Sequence, residues 1–324
     1  MNATSISIIP PGTGGVRDYA SLVGSSLHSP LMELTPATDT SALSGDFLLL
    51  HFSGYGFQKR GVPVWLVRRM RELRTQFGAL GVVFHELYAS GPPWRSAFWL
   101  HGYQKRIAKQ LLGLSDFWVS NNEESARWLL GKGLPKAHRV LPVFSNVGEP
   151  PPAESERRPE LIVFGSVGIR TMVYEWADGE VFRCARRNGL QIHDIGPSMQ
   201  DGVLQQRLAD EGVVARGKLP AEQVSAAMST ARYGAVAYPT HCVCKSGVFA
   251  AYAAHGLCPI LLSKDYATHD GLEANIHYAA GFDAADASVT DPNAVSREVR
   301  RWYEPHSVKA HAAALSALAS EVRR

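Results

Sequence analysis

YPTHCVCKSGVFAAYAAHGLCPILLS, residues 238–263, is the stretch from which the fold of this chain can be worked out. The apolar run at 235–238 predicts a strand that passes into a polar turn. Residues 248–253 then carry apolar side chains at helical spacing, and Gly256 ends that helix. Residues 258–262 predict the next strand. A strand, helix and strand in this order are typical of a parallel sheet with helices on its faces.

The polar turn of this stretch has the features of an anion site. Ser246 is a preferred helix N-cap residue, and Gly247 lets a ligand approach the backbone closely. The first N–H groups of a helix have no partner within the helix, so they and the helix dipole favour negative charge. Lys245 adds a cation beside them. The triplet predicts a diphosphate site, and the alternative is a capped helix with a solvated lysine.

Length and composition indicate a soluble α/β protein of about two domains. The formal charge of +3, without a dense Lys/Arg tract, gives no argument for a nucleic-acid partner. The start of the chain is not a signal peptide, and no apolar run reaches about 18 residues, so we expect a cytoplasmic protein with no membrane span.

Cysteine usage fits a reducing compartment. None of the four cysteines has the spacing of a disulfide framework. Residues 241–244 read His-Cys-Val-Cys, which raises the alternative of a metal site. The second ligand pair that zinc needs is not evident, so we expect packing and no metal. The cysteines are Cys184, Cys242, Cys244 and Cys258.

The first half of the chain opens with a strand, a glycine-rich loop and a helix. Residues 5–9 predict the strand, Gly14 and Gly15 lie in the loop, and the helix runs to Leu27. A buried strand follows at 46–52. A helix at 62–77 then carries a basic face, which is either solvated or rests on anionic lipid head groups. The face consists of Arg68, Arg69, Arg71 and Arg74.

His85 and Glu86 stand at the carboxyl end of a predicted strand, 80–84. In an open parallel sheet, ligands gather beyond these strand ends. Histidine can donate or accept a hydrogen bond near neutral pH, so it suits a polar ligand, although a His-Glu pair that only caps the strand is the alternative. The aromatic-rich residues 92–99 would suit a cleft wall. Further elements are predicted at 101–112 (helix), 117–119 (strand), 125–130 (helix) and 140–143 (strand).

A Pro-rich, charged stretch at 145–158 predicts a linker, after which the chain starts again as it began. We therefore predict a first domain at 1–144, a second at 159–301, and a tail from about 302 to 324 that packs back on the first. In the second half, Gly165 and Ser166 follow a strand at 161–164, and a helix is predicted through about 188. Further elements are predicted at 191–195 (strand), 202–211 (helix), 213–216 (strand, followed by Gly217 and Lys218), 221–229 (helix), 295–303 (helix) and 308–322 (helix).

These features predict two doubly wound domains that face each other across a cleft. The second domain would offer Arg170, Lys245 and a helix N-terminus to an anion, as a nucleotide diphosphate requires. The first domain would offer His85, Glu86 and aromatic rings to a neutral polar substrate such as a sugar.

Taken together, the motifs resemble those of the glycosyltransferases with the GT-B fold, in particular the retaining glycosyltransferase family 4. The resemblance covers nearly the whole chain, and it is the order and spacing of the pieces that make it specific. It implies two Rossmann-like domains and a hexosyltransferase of polysaccharide or glycoconjugate biosynthesis, with a UDP- or GDP-type sugar as donor and a glycan or lipid-linked acceptor. The pieces are GTGGVRDYASLV (12–23), FHELY (84–88), SDFWVSNNEES (115–125), LPVFSNVGEP (141–150), VFGSVGIR (163–170), GKLPAEQVS (217–225) and CKSGVFAAYAAHGLCPI (244–260).

The resemblance also implies residue roles. The family's first glycine loop lies near the donor diphosphate, and its strand-end histidine contacts the transferred sugar. An arginine and a lysine after the first strand of its second domain bind the diphosphate; here Ser166 stands at the arginine position, and Arg170 is the substitute that we expect. The expected catalytic residues are His85, Arg170 and Lys245, and the expected donor-binding residues are Gly14, Gly15, Gly165, Ser166, Lys218, Ser246 and Gly247.

One departure concerns a pair of glutamates that the family usually carries around the donor helix. The corresponding positions hold Val243 and Ala251, so the donor contacts must differ. Two alternatives follow: a sugar-nucleotide epimerase of the same architecture, and a catalytically silent nucleotide-sugar-binding subunit. For the transferase we expect no cofactor, no metal, and a cytoplasmic location with peripheral contact at the inner face of a membrane.

Overall fold

The computed structural model describes residues 5–89, 94–152, 156–286 and 288–322, and the chain divides into two compact units. Unit 1 comprises Met1–Pro142 and Val308–Arg324, and unit 2 comprises Val143–Ser307. The stretch predicted as a linker therefore belongs to unit 2. The chain re-enters unit 1 at Val308, whereas the sequence predicted that it would do so at about residue 302.

Unit 1 is built on a six-stranded sheet with the order β2-β1-β3-β4-β5-β6, and all of its neighbouring strands are parallel. Its strands are β1 (Ser5–Ile9), β2 (Leu31–Glu33), β3 (Gly45–Phe52), β4 (Phe77–Phe84), β5 (Phe117–Ser120) and β6 (Ala137–Val140). The helices between them are α1 (Gly15–Leu27), α2 (Gly54–Phe57), α3 (Val64–Leu73), α4 (Ser96–Leu114) and α5 (Glu123–Leu130).

Unit 2 repeats this plan with the order β12-β11-β10-β7-β8-β9, again with parallel neighbours throughout. Its strands are β7 (Arg158–Phe164), β8 (Gln191–Ile195), β9 (Val214–Gly217), β10 (Ala231–Ala237), β11 (Cys258–Leu262) and β12 (Ala279–Ala280). Its helices are α6 (Val167–Glu175), α7 (Glu180–Arg187), α8 (Gly202–Asp210), α9 (Ala221–Thr230), α10 (Gly247–His255) and α11 (Pro292–Tyr303). Short 3-10 helices lie at Trp176–Asp178, Thr240–Lys245 and Glu304–His306.

The last helix, α12 (Val308–Glu321), belongs to unit 1. Its His311 is fully buried: Nδ1 lies 2.6 Å from the Tyr19 hydroxyl on α1, and Nε2 lies 2.9 Å from the Pro142 carbonyl oxygen. A carbonyl only accepts, so Nε2 carries the imidazole proton and Nδ1 accepts from the tyrosine. Trp302, in contrast, donates to the Asp270 carbonyl and stays in unit 2.

The predicted fold class, α/β with two Rossmann-like doubly wound domains, is confirmed. Parallel strands are buried on both faces and therefore read as continuous apolar runs; Leu48, Leu49 and Leu50 of β3 are all fully buried.

Several predicted elements need correction. The helix predicted at 62–77 ends at Leu73, because residues from Phe77 onwards pair with β3 as the start of β4. The strand predicted at 140–143 lies instead at Ala137–Val140. The helix predicted through 188 is broken into α6 and α7, because Ala177 and Asp178 adopt left-handed backbone conformations (φ 44° and 54°).

Candidate functional site

The strand order of unit 2 creates a crevice between the carboxyl ends of β7 and β10. On β10, Tyr233 and Ala235 belong to the core cluster that contains α6 and α7 side chains, whereas a Cβ at Gly234 would meet the Tyr252 ring of α10. Since successive strand residues face opposite sides, α6 and α10 cover opposite faces of the sheet. A change of face between adjacent parallel strands marks the usual ligand position in such sheets.

On the β10 side, the N-terminus of α10 borders this crevice. Ser246 Oγ accepts the N–H of Phe249 at 3.2 Å, which confirms the predicted N-cap, and the Ser246 carbonyl accepts the N–H of Ala250. Within the described residues, the N–H groups of Gly247 and Val248 have no hydrogen-bond partner. Two N–H groups without partners at the positive end of a helix are suited to an anion.

Lys245 immediately precedes this helix end. Its side chain is partly exposed and forms no ion pair in the described part of the chain. An ammonium group that no carboxylate neutralises is available to a ligand anion. The structure thus places the predicted triplet of Lys245, Ser246 and Gly247 at the carboxyl edge of the sheet, as a phosphate ligand would require.

Three glycines line the neighbouring strand ends. The N–H of Gly165 donates to the Ile195 carbonyl, and the N–H of Gly196 donates to the Gly217 carbonyl, so the loops after β7, β8 and β9 are hydrogen bonded in a row. All three have positive φ (126°, 156° and 67°). A Cβ at Gly165 would lie only 3.1 Å from Val248 Cγ2, which brings this loop against the first turn of α10.

The remaining predicted donor residues lie on the same edge. Ser166 precedes α6, and its side chain makes no capping hydrogen bond there. Lys218 follows Gly217 directly and is exposed. The structure therefore brings Gly165, Ser166, Lys218 and the Lys245 triplet to one edge of one sheet.

Arg170 does not contact this edge as a free cation, and the expectation that it binds the diphosphate directly is wrong. Its side chain is fully buried and ion-paired with Asp194 on β8. The same guanidinium donates to the Gly165 carbonyl at 3.0 Å and to the Pro197 carbonyl. Arg170 therefore holds the loops after β7 and β8 in place, and each of its guanidinium nitrogens donates to an oxygen of the protein.

A second buried group supports the same ion pair. The Tyr174 hydroxyl donates to the other oxygen of the Asp194 carboxylate at 2.8 Å. Burial raises the pKa of Tyr174, so the hydroxyl keeps its proton and remains a donor. The carboxylate is thus held by Arg170 on one side and Tyr174 on the other.

The two positions discussed above for a glutamate pair are packed in the interior. Val243 is 1% exposed and Ala251 is 0% exposed. A carboxylate at either position would have to be buried, which is costly unless it is paired.

A pocket of about 730 Å³ adjoins the crevice on the α6 side of the sheet. It lies at the last residues of β10 and β11, Ala237 and Leu262. Its wall is largely apolar and aromatic. Its lining also includes two carboxylates, Glu175 and Asp265, and one lysine. Two carboxylates would repel a diphosphate, so the pocket suits an uncharged group better. The other lining residues are Met172, Trp176, Ala177, Tyr238, Pro239, His241, Ser263 and Lys264.

In unit 1, the glycine loop leads into α1 at the carboxyl end of β1. Gly14 (φ 137°) is the N-cap of α1 and provides no side-chain cap, and a Cβ at Gly14 or Gly15 would meet nothing within 4 Å. The backbone of this loop is thus open to close approach by a ligand. In the second turn of the helix, the Tyr19 ring packs edge-on against His85, with ring centroids 4.8 Å apart.

His85 lies at the carboxyl end of β4, as predicted, and is 8% exposed. Its Nε2 lies 3.3 Å from Nδ1 of His51, a fully buried residue of the adjacent strand β3. Burial lowers the pKa of His51 to about 3, so that ring is neutral and can hydrogen bond to His85 as an uncharged partner. Tyr19 and His51 therefore fix the orientation of the His85 ring, and sequence reasoning had found neither.

Several polar side chains of unit 1 are engaged by partners within the unit. Ser53 Oγ donates to the Glu86 carboxylate at 2.8 Å. On α3, Arg69 donates to the Thr38 carbonyl, and Arg74 forms an ion pair with Asp116 at 2.9 Å. The basic face of α3 is thus partly engaged by the protein itself, which weakens its assignment to lipid head groups.

Neither metal ligands nor a membrane span are found in the described residues. These residues contain no group of three or more His, Cys, Asp or Glu side chains that could hold a metal ion. None of their helices is long and apolar enough to cross a bilayer.

Comparisons with known proteins give matches among solved structures alone: no family model and no curated protein sequence matches the chain. The pneumococcal O-GlcNAc transferase GtfA, in complex with UDP and GlcNAc, superimposes with a TM-score of 0.56 at 15% identity over 86% of this chain. Anabaena HepE, in complex with UDP and glucose, superimposes with a TM-score of 0.59 at 11% identity over 97% of this chain and 99% of its own. A putative UDP-N-acetylglucosamine 2-epimerase from Listeria monocytogenes gives 0.61 at 12% identity, over 98% of this chain and 96% of its own.

The chain has the fold of the GT-B glycosyltransferases. Its two parallel six-stranded sheets are those of this fold. At these low identities the likeness establishes the fold and leaves the chemistry open. The chain spans 57% of the length of GtfA, so what that whole protein does is not transferred to it.

The residues that the sequence analysis missed contact the predicted residues and hold them in position. Asp194 holds Arg170, and Gly196 makes room for it: a Cβ there would lie 2.3 Å from the Gly165 oxygen. A Gly-Pro pair directly after β8 was a usable signal for a tight turn at Gly196. The Arg170–Asp194 pair joins residues 24 apart in sequence, and no local sequence pattern predicts this contact.

Proposed function

We propose that this protein is a metal-independent hexosyltransferase that resembles the retaining glycosyltransferase family 4. It takes a sugar from a UDP- or GDP-type nucleotide sugar and passes it to a glycan or lipid-linked acceptor in polysaccharide or glycoconjugate biosynthesis. The proposal includes a cytoplasmic location with peripheral contact at the inner face of a membrane. What supports the donor assignment is the site in unit 2, within a fold shared with structures solved with UDP and a sugar.

The observation that carries the proposal is the N-terminus of α10. The N–H groups of Gly247 and Val248 have no hydrogen-bond partner in the described residues and lie next to Lys245, at the carboxyl edge where β7 and β10 meet. A departing diphosphate gains negative charge as the bond to the sugar breaks, and fixed donors aimed at that charge lower the barrier. Removal of a single such donor typically costs a factor of about 10²–10³ in rate.

In this mechanism the acceptor hydroxyl attacks from the face that the diphosphate leaves, so the sugar keeps its anomeric configuration. His85 orients the sugar and stabilises the transition state, and it does not act as a nucleophile. Tyr19 and His51 hold its ring in place. Arg170 contributes by fixing the Gly165 loop, which differs from the direct role that the sequence predicted.

Isothermal titration calorimetry of UDP and GDP tests the donor site. We expect Lys245→Ala to weaken binding of the preferred diphosphate at least about tenfold, since one charge-assisted contact is worth about 1.5–3 kcal/mol. The matched control is Lys309→Ala, which removes an exposed lysine from α12 in unit 1. If the wild-type and Lys245→Ala proteins bind the diphosphate with equal affinity, the assignment of the donor site is wrong.

The epimerase remains the second candidate, because the Listeria structure described above shares the fold. The packed positions of Val243 and Ala251 motivate a third, a catalytically silent binding subunit. Incubation with a nucleotide sugar in the absence of an acceptor separates the three. An epimerase produces an epimerised sugar, a transferase releases the nucleotide by slow hydrolysis, and a silent subunit does neither.

A further inference from the structure

The start of α4 presents to solvent the large aromatic side chains that the sequence analysis assigned to a cleft wall. Trp94 is 83% exposed, Trp99 69% and Tyr103 61%. Phe98 packs edge-on against Trp99, with ring centroids 5.2 Å apart, and so supports the exposed indole. Contiguous exposed apolar patches are rare on monomeric proteins and mark interaction sites.

Cations continue the same surface towards the C-terminus of the helix. Trp99, Tyr103 and Arg106 follow one another at helical spacing, so they form one stripe. Arg95 and Lys109, also exposed, flank it. The α4 surface consists of Trp94, Arg95, Trp99, Tyr103, Arg106 and Lys109.

The charge of this surface is not balanced locally. The sequence from Arg95 to Leu114 contains no aspartate or glutamate. Arg95, Arg106 and Lys109 form no ion pair within the described residues, whereas Arg68 and Arg69 of α3 both lie near Glu72. Lys105, which points elsewhere, is engaged with the Tyr88 ring at 4.4 Å. The unpaired cations thus share one face with the exposed rings.

We propose that the α4 surface binds the head-group region of an anionic lipid bilayer. Tryptophan and tyrosine are favoured at this depth because their rings are largely apolar while their N–H and O–H groups remain hydrated. Each arginine or lysine near an anionic membrane surface adds about 1 kcal/mol of attraction. A glycan alone would not explain three unpaired cations. The inference specifies the proposed membrane contact and relocates it from α3 to α4, but it does not depend on sugar transfer.

Vesicle co-sedimentation of the full-length chain tests the charge requirement. The probes are vesicles of phosphatidylcholine alone and of phosphatidylcholine with phosphatidylglycerol, without nucleotide. We expect binding to the anionic vesicles only, with a loss at high salt. Arg106→Glu should weaken it at least about fivefold, since the loss of one cation alone removes about that factor. The matched control is Arg68→Glu on α3, whose side chain is 84% exposed; it should bind as the wild type does.

A second variant tests the aromatic contribution. The double variant Trp94→Ser/Trp99→Ser should bind vesicles more weakly. Brominated lipids should quench tryptophan fluorescence in the wild type, and the double variant should lose this quenching. Both side chains are mostly exposed, so the fold should tolerate the change. UDP affinity is measured on the same variants and should be unchanged, so a failure of the lipid proposal is distinguishable from a failure of the donor site.

Three results would overturn the proposal. One is equal binding to neutral and anionic vesicles. Another is an equal loss of binding in Arg68→Glu and Arg106→Glu, which would show a general charge effect. The third is a concentration-dependent dimer in light scattering that the double tryptophan variant abolishes, because the α4 surface would then join two copies of this chain.

Discussion

The buried His51 imidazole links the stability of the protein to pH. The unfolded chain exposes this ring, which then titrates near its ordinary value of 6.5, whereas burial lowers the pKa of His51 to about 3 in the folded protein. The unfolded state therefore binds more protons in this window, and stability is lost as the pH falls from about 6.5 towards 3. The groups that face it are His85 and the Tyr19 ring.

We expect His51→Phe to reduce this acid sensitivity. Within the window, one such histidine contributes about 1.4 kcal/mol per pH unit to the slope of the unfolding free energy. Urea titrations at pH 7 and pH 5 measure the slope. His28→Asn is the control, because His28 is exposed and asparagine tolerates its left-handed backbone (φ 53°). An unchanged slope in His51→Phe would mean that this ring is not the sensitive group.

The Arg170–Asp194 pair makes a second residue-scale prediction. Arg170→Met leaves a buried carboxylate without its cation and should cost about 3–5 kcal/mol of stability. Combining it with Asp194→Leu removes the stranded charge, so part of the loss should return. Guanidinium unfolding of the two variants measures both. If Arg170→Met loses affinity for UDP with no loss of stability, Arg170 is a direct ligand after all.

At the scale of elements, two of the predicted donor glycines, Gly165 and Gly247, differ in what they require of the backbone and its surroundings. Gly165 combines positive φ with a near contact to Val248, so Gly165→Ala should destabilise the protein by about 1–3 kcal/mol. Gly247 has open space around a built Cβ, so Gly247→Ala should keep or slightly raise the melting temperature. Its methyl group would still meet a diphosphate on the α10 amides. Thermal unfolding with and without UDP separates the two, and a Gly247→Ala protein that binds UDP normally would argue against close approach there.

Elements were predictable where the chain marks them locally. Strands β1 and β11 have both ends as predicted, because a glycine or proline lies within two residues of one end of each short apolar run. The edge strand β2 has three residues and too little pattern to detect. The break between α6 and α7 was invisible for another reason. Arg183 and Arg207 donate to the Asp178 carbonyl and hold a turn that alanine and aspartate do not favour by themselves.

The candidate site was predictable to the same extent. Glycine turns and the Ser246 cap follow from local rules, and the structure places them at strand ends. Arg170 looked like a ligand because an arginine after a glycine turn resembles one, and only the tertiary contact with Asp194 shows otherwise. Sequence patterns locate the edge where a ligand would bind, whereas burial decides which charges remain available to it.

At the scale of the whole molecule, unit 1 is completed by a segment that begins at Val308, far along the chain from its first strand, Ser5–Ile9. On α12, Leu315 and Leu318 are fully buried, and His311 accepts from Tyr19 of α1. Tyr19 in turn packs on His85, so the last helix supports the ring that we assign to the sugar. The stability of α12 and the function of His85 are therefore expected to be coupled within this unit.

Leu315→Ala tests that coupling, since a large-to-small change at a fully buried leucine costs about 2–5 kcal/mol. The control is Ser320→Ala, an exposed position on the same helix. By hydrogen exchange, we expect faster opening of β1 and α1 in Leu315→Ala, while β7 and β10 keep their protection because they belong to unit 2. UDP affinity should be retained and sugar transfer should fall, because only the His85 side is loosened. Equal loss of protection in both units would instead mean that they unfold as one cooperative body, and α12 would then have no separate role in holding His85.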